Sequence, residues 1–186
     1  MSRAGRSGLR AMQAAPPQCE PLDVVDEHDH VLMQLPRDEV HARGLRHRAA
    51  HILVLDNSGR VFVQRRAWWK ECQPGLWDTS AAGHVDAGET YAAAAERELQ
   101  EELGIRPAQP LRPLCRLEAS AQTGFEFVEV FLAVTDQEPT PDPHEIIDGR
   151  WCSPAELADW LATSPADFTA AFRTIWTQYL KVSGLA

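Results

Sequence analysis

Glu98, Glu101 and Glu102 stand at i, i+3 and i+4, so on a helix they share one face. Three like charges within about one turn repel one another by a few tenths of a kcal/mol per pair. A lysine or arginine four residues after Glu98 would relieve the repulsion, but Glu102 stands there. A solvated acidic face is one explanation. A hard divalent cation is the other, because Mg2+ prefers carboxylate oxygen together with water and substrate phosphate. Residue type and spacing leave both open.

The elements that must carry these carboxylates follow from the pattern around them. Ala92, Ala95, Leu99 and Leu103 form an apolar stripe that predicts a helix over 89–103, with Thr90 capping its start and Gly104 its end. Upstream, Leu22–Val25 and His30–Met33 flank a turn at Glu27-His28-Asp29 and predict a small hairpin. A short helix over 37–43 ends near Gly44. His51–Leu55 predicts a buried strand, Asn57-Ser58-Gly59 a turn, and Val61 to Arg66 the returning strand. Trp68 to Leu76 is an aromatic loop with a turn at Pro74-Gly75. Strands are expected over 111–119 and 126–134, and a short one at Arg150-Trp151. Ser153-Pro154 and Ser164-Pro165 each read as an N-cap with proline in the first turn of an amphipathic helix. The second of these carries Phe168, Phe172, Ile175, Trp176 and Leu180. A mixed sheet between helical layers is the architecture this order implies.

Bulk properties narrow the function classes. A chain of 186 residues is the size of one domain, expected here over 21–186, with a basic, disordered tail over 1–20. The net charge of -9 argues against polymeric nucleic acid as a partner but not against a nucleotide whose charge is met by metal. No apolar run reaches the ~18 residues of a membrane span. Cys19, Cys72, Cys115 and Cys152 show no metal-ligand spacing, and free thiols point to the cytoplasm.

The stretch from Gly83 to Ile105 resembles the signature of the Nudix hydrolases. It runs Gly83, five residues, Glu89, seven residues, Arg97-Glu98-Leu99, one residue, Glu101-Glu102, one residue, Gly104-Ile105. Nine specified positions without a gap make the match specific. The resemblance implies a Nudix-type α/β/α sandwich with a mixed β-sheet, Mg2+ or Mn2+ as cofactor, and a small-molecule diphosphate as substrate. It implies that Glu98, Glu101 and Glu102 hold the metal together with the Gly83 carbonyl. It also implies that Arg97 orients the carboxylates, with Glu89 as one partner, and that Glu101 or Glu102 serves as general base.

Segments beyond the signature resemble the Nudix branch shared with isopentenyl-diphosphate isomerases: RHRAAHILVLDNSGRVFVQRRA, PGLWDTSAAGH and EIIDGRWCSPAEL. In that branch two histidines bind a metal, and His47 and His84 match them. His41 has a spacing to His47 that differs by one from the isomerase pattern, and it is read as an ordinary hydrogen-bonded residue. Ala82 stands where the isomerases carry their catalytic cysteine, and a methyl group cannot transfer a proton. Glu126 matches the isomerase glutamate on a later strand. The resemblance thus implies hydrolysis of a diphosphate linkage, with an isopentenyl-diphosphate isomerase or a non-catalytic nucleotide-binding sensor as the alternatives, the sensor disfavoured because the signature keeps all its glutamates. Glu145 lies where some Nudix enzymes take a base from a loop, although a solvated loop acid is the plainer reading.

For the rest of the substrate, Trp68, Trp69 and Lys70 are the candidates. Aromatic and cationic side chains together can stack a base and meet a phosphate. The two tryptophans could equally seal a homodimer interface. Trp77 is expected in the core. The stretch from Glu118 to Thr123 lacks the proline or tyrosine of ADP-ribose and dinucleoside-polyphosphate hydrolases, so the substrate itself stays unnamed.

Overall fold

The computed structural model describes residues 21–184. The tail expected over 1–20, with Cys19, lies outside the described residues. The chain opens with a hairpin, β1 (Pro21–Val25) and β2 (Val31–Pro36), that forms its own two-stranded sheet. Its turn is closed by Asp26, whose side chain accepts from the N–H groups of His28 and His30. Helix α1 (Arg37–Ala42) follows and ends before Gly44, whose φ of 58° favours glycine.

Strands β3 (His47–Leu55) and β4 (Val61–Arg66) are joined by the expected turn, in which Asp56 accepts from Ser58 and Arg60. Then come β5 (Trp77–Asp78), β6 (Ala81–His84), helix α2 (Tyr91–Leu103), β7 (Arg112–Leu117), β8 (Glu126–Val134) and β9 (Ile146–Cys152). Helices α3 (Pro154–Thr163) and α4 (Ala170–Ser183) close the chain. The main sheet runs β5-β4-β3-β8-β7, with β6 also pairing β3 and β9 pairing β4. It is mixed: β3 and β8 are parallel, with His47 opposite Glu126, and the other pairs are antiparallel.

Alternation along the strands sends residues to two separate cores. On one face Ala50, Ile52, Val54, Phe62 and Phe131 meet Ala94, Ala95, Leu99 and Leu103 of α2. On the other, Leu53, Val61, Val63, Val128 and Leu132 meet Leu157 of α3 and Phe172, Ile175, Trp176 and Tyr179 of α4. The expected sandwich is therefore present, and Trp77 belongs to its second core.

Four sequence expectations need correction. Helix α2 starts at Tyr91, with Thr90 accepting from the Ala93 N–H as its cap, so Glu89 precedes the helix. Its buried stripe uses Ala94, while Ala92 is exposed. Strand β3 starts at His47 and β9 at Ile146, both earlier than expected, because partner strands extend the pairing beyond the apolar run. Ser164-Pro165 opens a single 3-10 turn, and α4 begins at Ala170 under a Thr169 cap instead. Phe168 breaks the run there, its backbone extended so that its ring enters the core.

Candidate active site

Helix α2 presents its carboxylates to three different environments. Glu102 is buried, and its Oε2 accepts from Gln64 Nε2 at 2.9 Å and from the Ala82 N–H at 3.1 Å. Burial first, and the Glu98 charge second, push its carboxyl up to about 7. Glu98 is also pushed up by burial, against the pull of Arg97. It packs on Gly83 so closely that a Cβ there would lie 2.0 Å from Glu98 Oε1. A side chain at this position would displace the Glu98 carboxylate from where it rests. Glu101 points outward, 61% exposed, and touches Arg97 Nη1 at 3.3 Å.

Arg97 is the clamp of this region. It donates to Glu98 at 2.6 Å, to Glu89 at 2.9 and 3.2 Å, and to the His84 carbonyl at 3.0 Å. The expected Arg97–Glu89 pair is present, and the contact to His84 ties the helix to the end of β6. Four acceptors around one guanidinium make the arrangement more than a surface i,i+4 pair.

A second cluster stands next to it. His41, His47, His84 and Glu126 each offer one atom, and these atoms lie within 4.8 Å of one another. They arrive from α1, β3, β6 and β8. His41 Nε2 is 3.2 Å from His84 Nε2, which is 3.2 Å from Glu126 Oε1. His41, expected as an ordinary hydrogen-bonded residue, does pair with Glu71 and His84, and its ring also stands within this group. His47 Nδ1 donates to the Leu45 carbonyl, 2.9 Å away. Its Nε2, on a side chain 1% exposed, faces Glu126 Oε1 at 3.5 Å. Three imidazole nitrogens and one carboxylate oxygen gathered this closely could hold a metal ion. His41 Nδ1 likewise donates to Glu71 at 3.2 Å, the outer partner that orients metal-ligating imidazoles. Burial holds His84 down to about 4 and so neutral, as a ligand must be. Burial opposes ionisation of Glu126, but His47 and His84 beside it hold its carboxyl well below the usual range.

The aromatic loop borders both clusters. Trp68 is 60% exposed, lies on Gly75 and stacks under Arg65, whose Cζ is 5.0 Å from the ring. Trp69 donates to the His144 carbonyl at 2.8 Å. Lys70 pairs with Glu145, so Glu145 is not the freely solvated acid its loop position suggested. Burial lowers the Lys70 ammonium, opposed by the charges of Glu102 and Glu98, which places Lys70 beside the carboxylate helix. Sequence reasoning passed over Gln64 and Glu71. Gln64 directly follows the apolar run Val61-Phe62-Val63 and precedes Arg65-Arg66, so nothing in the sequence separates it from the polar end of β4. Glu71 carries no local signal.

Comparison with known proteins shows the family and the fold. The NUDIX domain profile matches residues 45–172. A Nudix hydrolase of Pseudomonas aeruginosa, itself uncharacterized, is 44% identical over 134 residues, 72% of this chain and 78% of its own. An isopentenyl-diphosphate Delta-isomerase of Nocardia farcinica is 37% identical over 154 residues, 80% of this chain and 88% of its own. Among solved structures, a Deinococcus radiodurans protein superimposes with a TM-score of 0.69 at 31% identity, covering 78% of this chain and 90% of its own.

Proposed function

Because the chain belongs to the Nudix family, we propose that it is a divalent-metal-dependent hydrolase cleaving a diphosphate linkage in a nucleoside-diphosphate-linked or similar small molecule. The observation that carries the reading is Glu102: a carboxylate buried beside Glu98, with its proton affinity raised to about 7 and its position fixed by Gln64 and Ala82. Buried like charges without a cation are costly, so the donor set fits Mg2+ or Mn2+. Glu98, Glu101, Glu102 and the Gly83 carbonyl would hold it. When bound, such an ion neutralises the diphosphate and lowers the pKa of water towards neutrality.

The remaining work falls to the chain's own residues. Arg97 holds Glu98 in place while Glu98 lies on Gly83. Glu102 is the better of the two base candidates, since two donors fix its carboxylate while Glu101 points to solvent. Water adds to phosphorus, its proton passes to the carboxylate, and a phosphate ester leaves. Lys70 lies beside the same region and can meet the charge of the substrate's phosphates.

The histidine–glutamate cluster fits a second cation and favours one other reading, an isopentenyl-diphosphate isomerase. Ala82 stands against it. One panel decides: nucleotide-sugar, dinucleotide and isoprenoid diphosphates, assayed with Mg2+ or Mn2+ for released phosphate, mononucleotide and dimethylallyl diphosphate. Metal-dependent hydrolysis of at least one diphosphate supports the proposal. Enzyme-dependent isomerisation of isopentenyl diphosphate, without hydrolysis, would replace it.

A further inference from the structure

Phe125 holds a backbone conformation that its side chain disfavours, φ 66°, directly after Gly124 at φ 68°. For a bulky residue the left-handed region is an outlier. The residue is 41% exposed, so core packing does not hold it there. Specific contacts do. Its N–H donates to the Ser120 carbonyl at 2.7 Å, and its own carbonyl accepts from the His47 N–H at 3.2 Å. Its ring lies over Gly44, where an added Cβ would come 3.4 Å from Phe125 Cε2. Gly44 in turn donates to the His41 carbonyl at 3.0 Å. The next residue along the chain is Glu126, opposite His47 in the β3–β8 register.

One residue therefore touches the His41 segment with its ring, His47 with its carbonyl, and Glu126 through the peptide bond. We propose that Phe125 is a positioning residue for the histidine–glutamate cluster. Its left-handed turn aims Glu126 at the imidazoles, and its ring keeps the end of α1 at the distance where His41 Nε2 reaches His84. Strained backbone persists where the surroundings over-determine it, and such places cluster at ligand clamps. The inference rests on the reading of this cluster as a cation site, so its test needs one measurement that uses a metal and one that does not.

Co2+ serves as the probe for the full chain, followed by calorimetry and by the visible absorption of a nitrogen-ligated ion. Side-chain 15N spectra of the chelated protein report the His47 tautomer, which the Leu45 contact fixes. Phe125→Gly removes both the strain and the ring. Phe125→Asn keeps a residue tolerant of the left-handed region and removes the ring alone. Phe125→Gly should lower Co2+ affinity roughly tenfold to a hundredfold, the range for losing an outer partner of a metal site. It should also mix the His47 tautomers, with thermal stability unchanged or higher. Phe125→Asn should fall between it and the parent, and carries the test if Phe125→Gly does not fold. Parental Co2+ affinity together with a single His47 tautomer in Phe125→Gly would overturn the inference. A parent that binds no Co2+, beside a variant whose tautomers mix, would remove the cation site and leave the positioning of the imidazoles standing.

Discussion

In the carboxylate helix, three potential ligands lie within five consecutive residues, yet the fold sends them to a buried pocket, a glycine ledge and open solvent. In the histidine cluster, four potential ligands come from four elements up to 85 positions apart, yet their donor atoms converge within 4.8 Å. The first region is conspicuous in sequence and lies on one helix face, its three carboxylates differing in burial. The second is scattered in sequence and assembled in space. Their chemistry differs in parallel: oxygen donors suit a hard ion such as Mg2+ or Mn2+, and three imidazoles with one carboxylate suit a transition ion such as Zn2+. Gly83 and His84 join the two, one under Glu98 and the other inside the cluster.

The largest effect should come from separating them at Glu102. Glu102→Gln keeps the shape and the oxygen that Gln64 and Ala82 reach, but it removes the charge. Turnover should fall by roughly 10²–10⁴, the usual contribution of a positioned base, while Co2+ binding at the histidines stays at the parental level. Joint loss of both would show that the two regions form one site.

The converse experiment is His47→Ala. Loss of a direct donor should weaken Co2+ by more than the ~10–100-fold typical of an outer partner, seen as loss of its visible band. Mn2+ bound at the carboxylates, followed by electron paramagnetic resonance, should hardly change. A matching loss there would join the regions again.

A smaller effect concerns stability and pH in chelated protein. The Glu102 carboxyl is raised in the fold to about 7 from an ordinary value of 4.5. Its contribution is therefore fully present below the ordinary value and lost as pH rises through about 7. His84, held at about 4, works in the opposite direction between that value and its ordinary 6.5. The informative quantity is thus the difference between the parent and Glu102→Gln. The variant should gain on the parent by up to a few kcal/mol between about pH 5 and 8. A flat difference curve in urea melts would mean that Glu102 is not desolvated as its burial implies.

The smallest effect should fall outside both regions, on the aromatic loop. Trp68→Ala and Trp69→Ala should raise KM by an amount matching ~1–3 kcal/mol of lost stacking, with kcat within a small factor. An unchanged KM with a shifted elution volume would assign the loop to a homodimer interface instead.

What could be read in advance follows the same division. The Glu98, Glu101 and Glu102 register, the Thr90 and Gly104 caps and the two-faced sheet are local or periodic, and each is legible from neighbours in the chain. Even there, periodicity chose Ala92 where the buried residue is Ala94, because it does not set the helix's rotation over the sheet. His41 comes to stand beside His84 through the placement of α1, which the spacing to His47 does not reveal. Gln64, Glu71 and Phe125 act through contacts made only once β4 meets α2, the aromatic loop meets α1, and the start of β8 meets β3. The start of α4 was missed because Ser164-Pro165 and Thr169 are both good caps, and the Phe168 ring settles which one the helix uses.

Ala82 shows how a fold divides labour within one residue. Its amide hydrogen serves Glu102, and the antiparallel register of β6, which sets Ala82 opposite His51, fixes that amide. No codon change other than to proline deletes a backbone donor. The methyl group beside it, partly exposed between the two clusters, carries no such duty and is free to drift. Heredity at this position is therefore split: the part that supports the carboxylate is nearly immune to mutation, and the part that would decide whether a proton donor stands over the site is one substitution from change. A change of this side chain can thus alter what stands beside Gly83 and His84 while the amide that serves Glu102 stays in place.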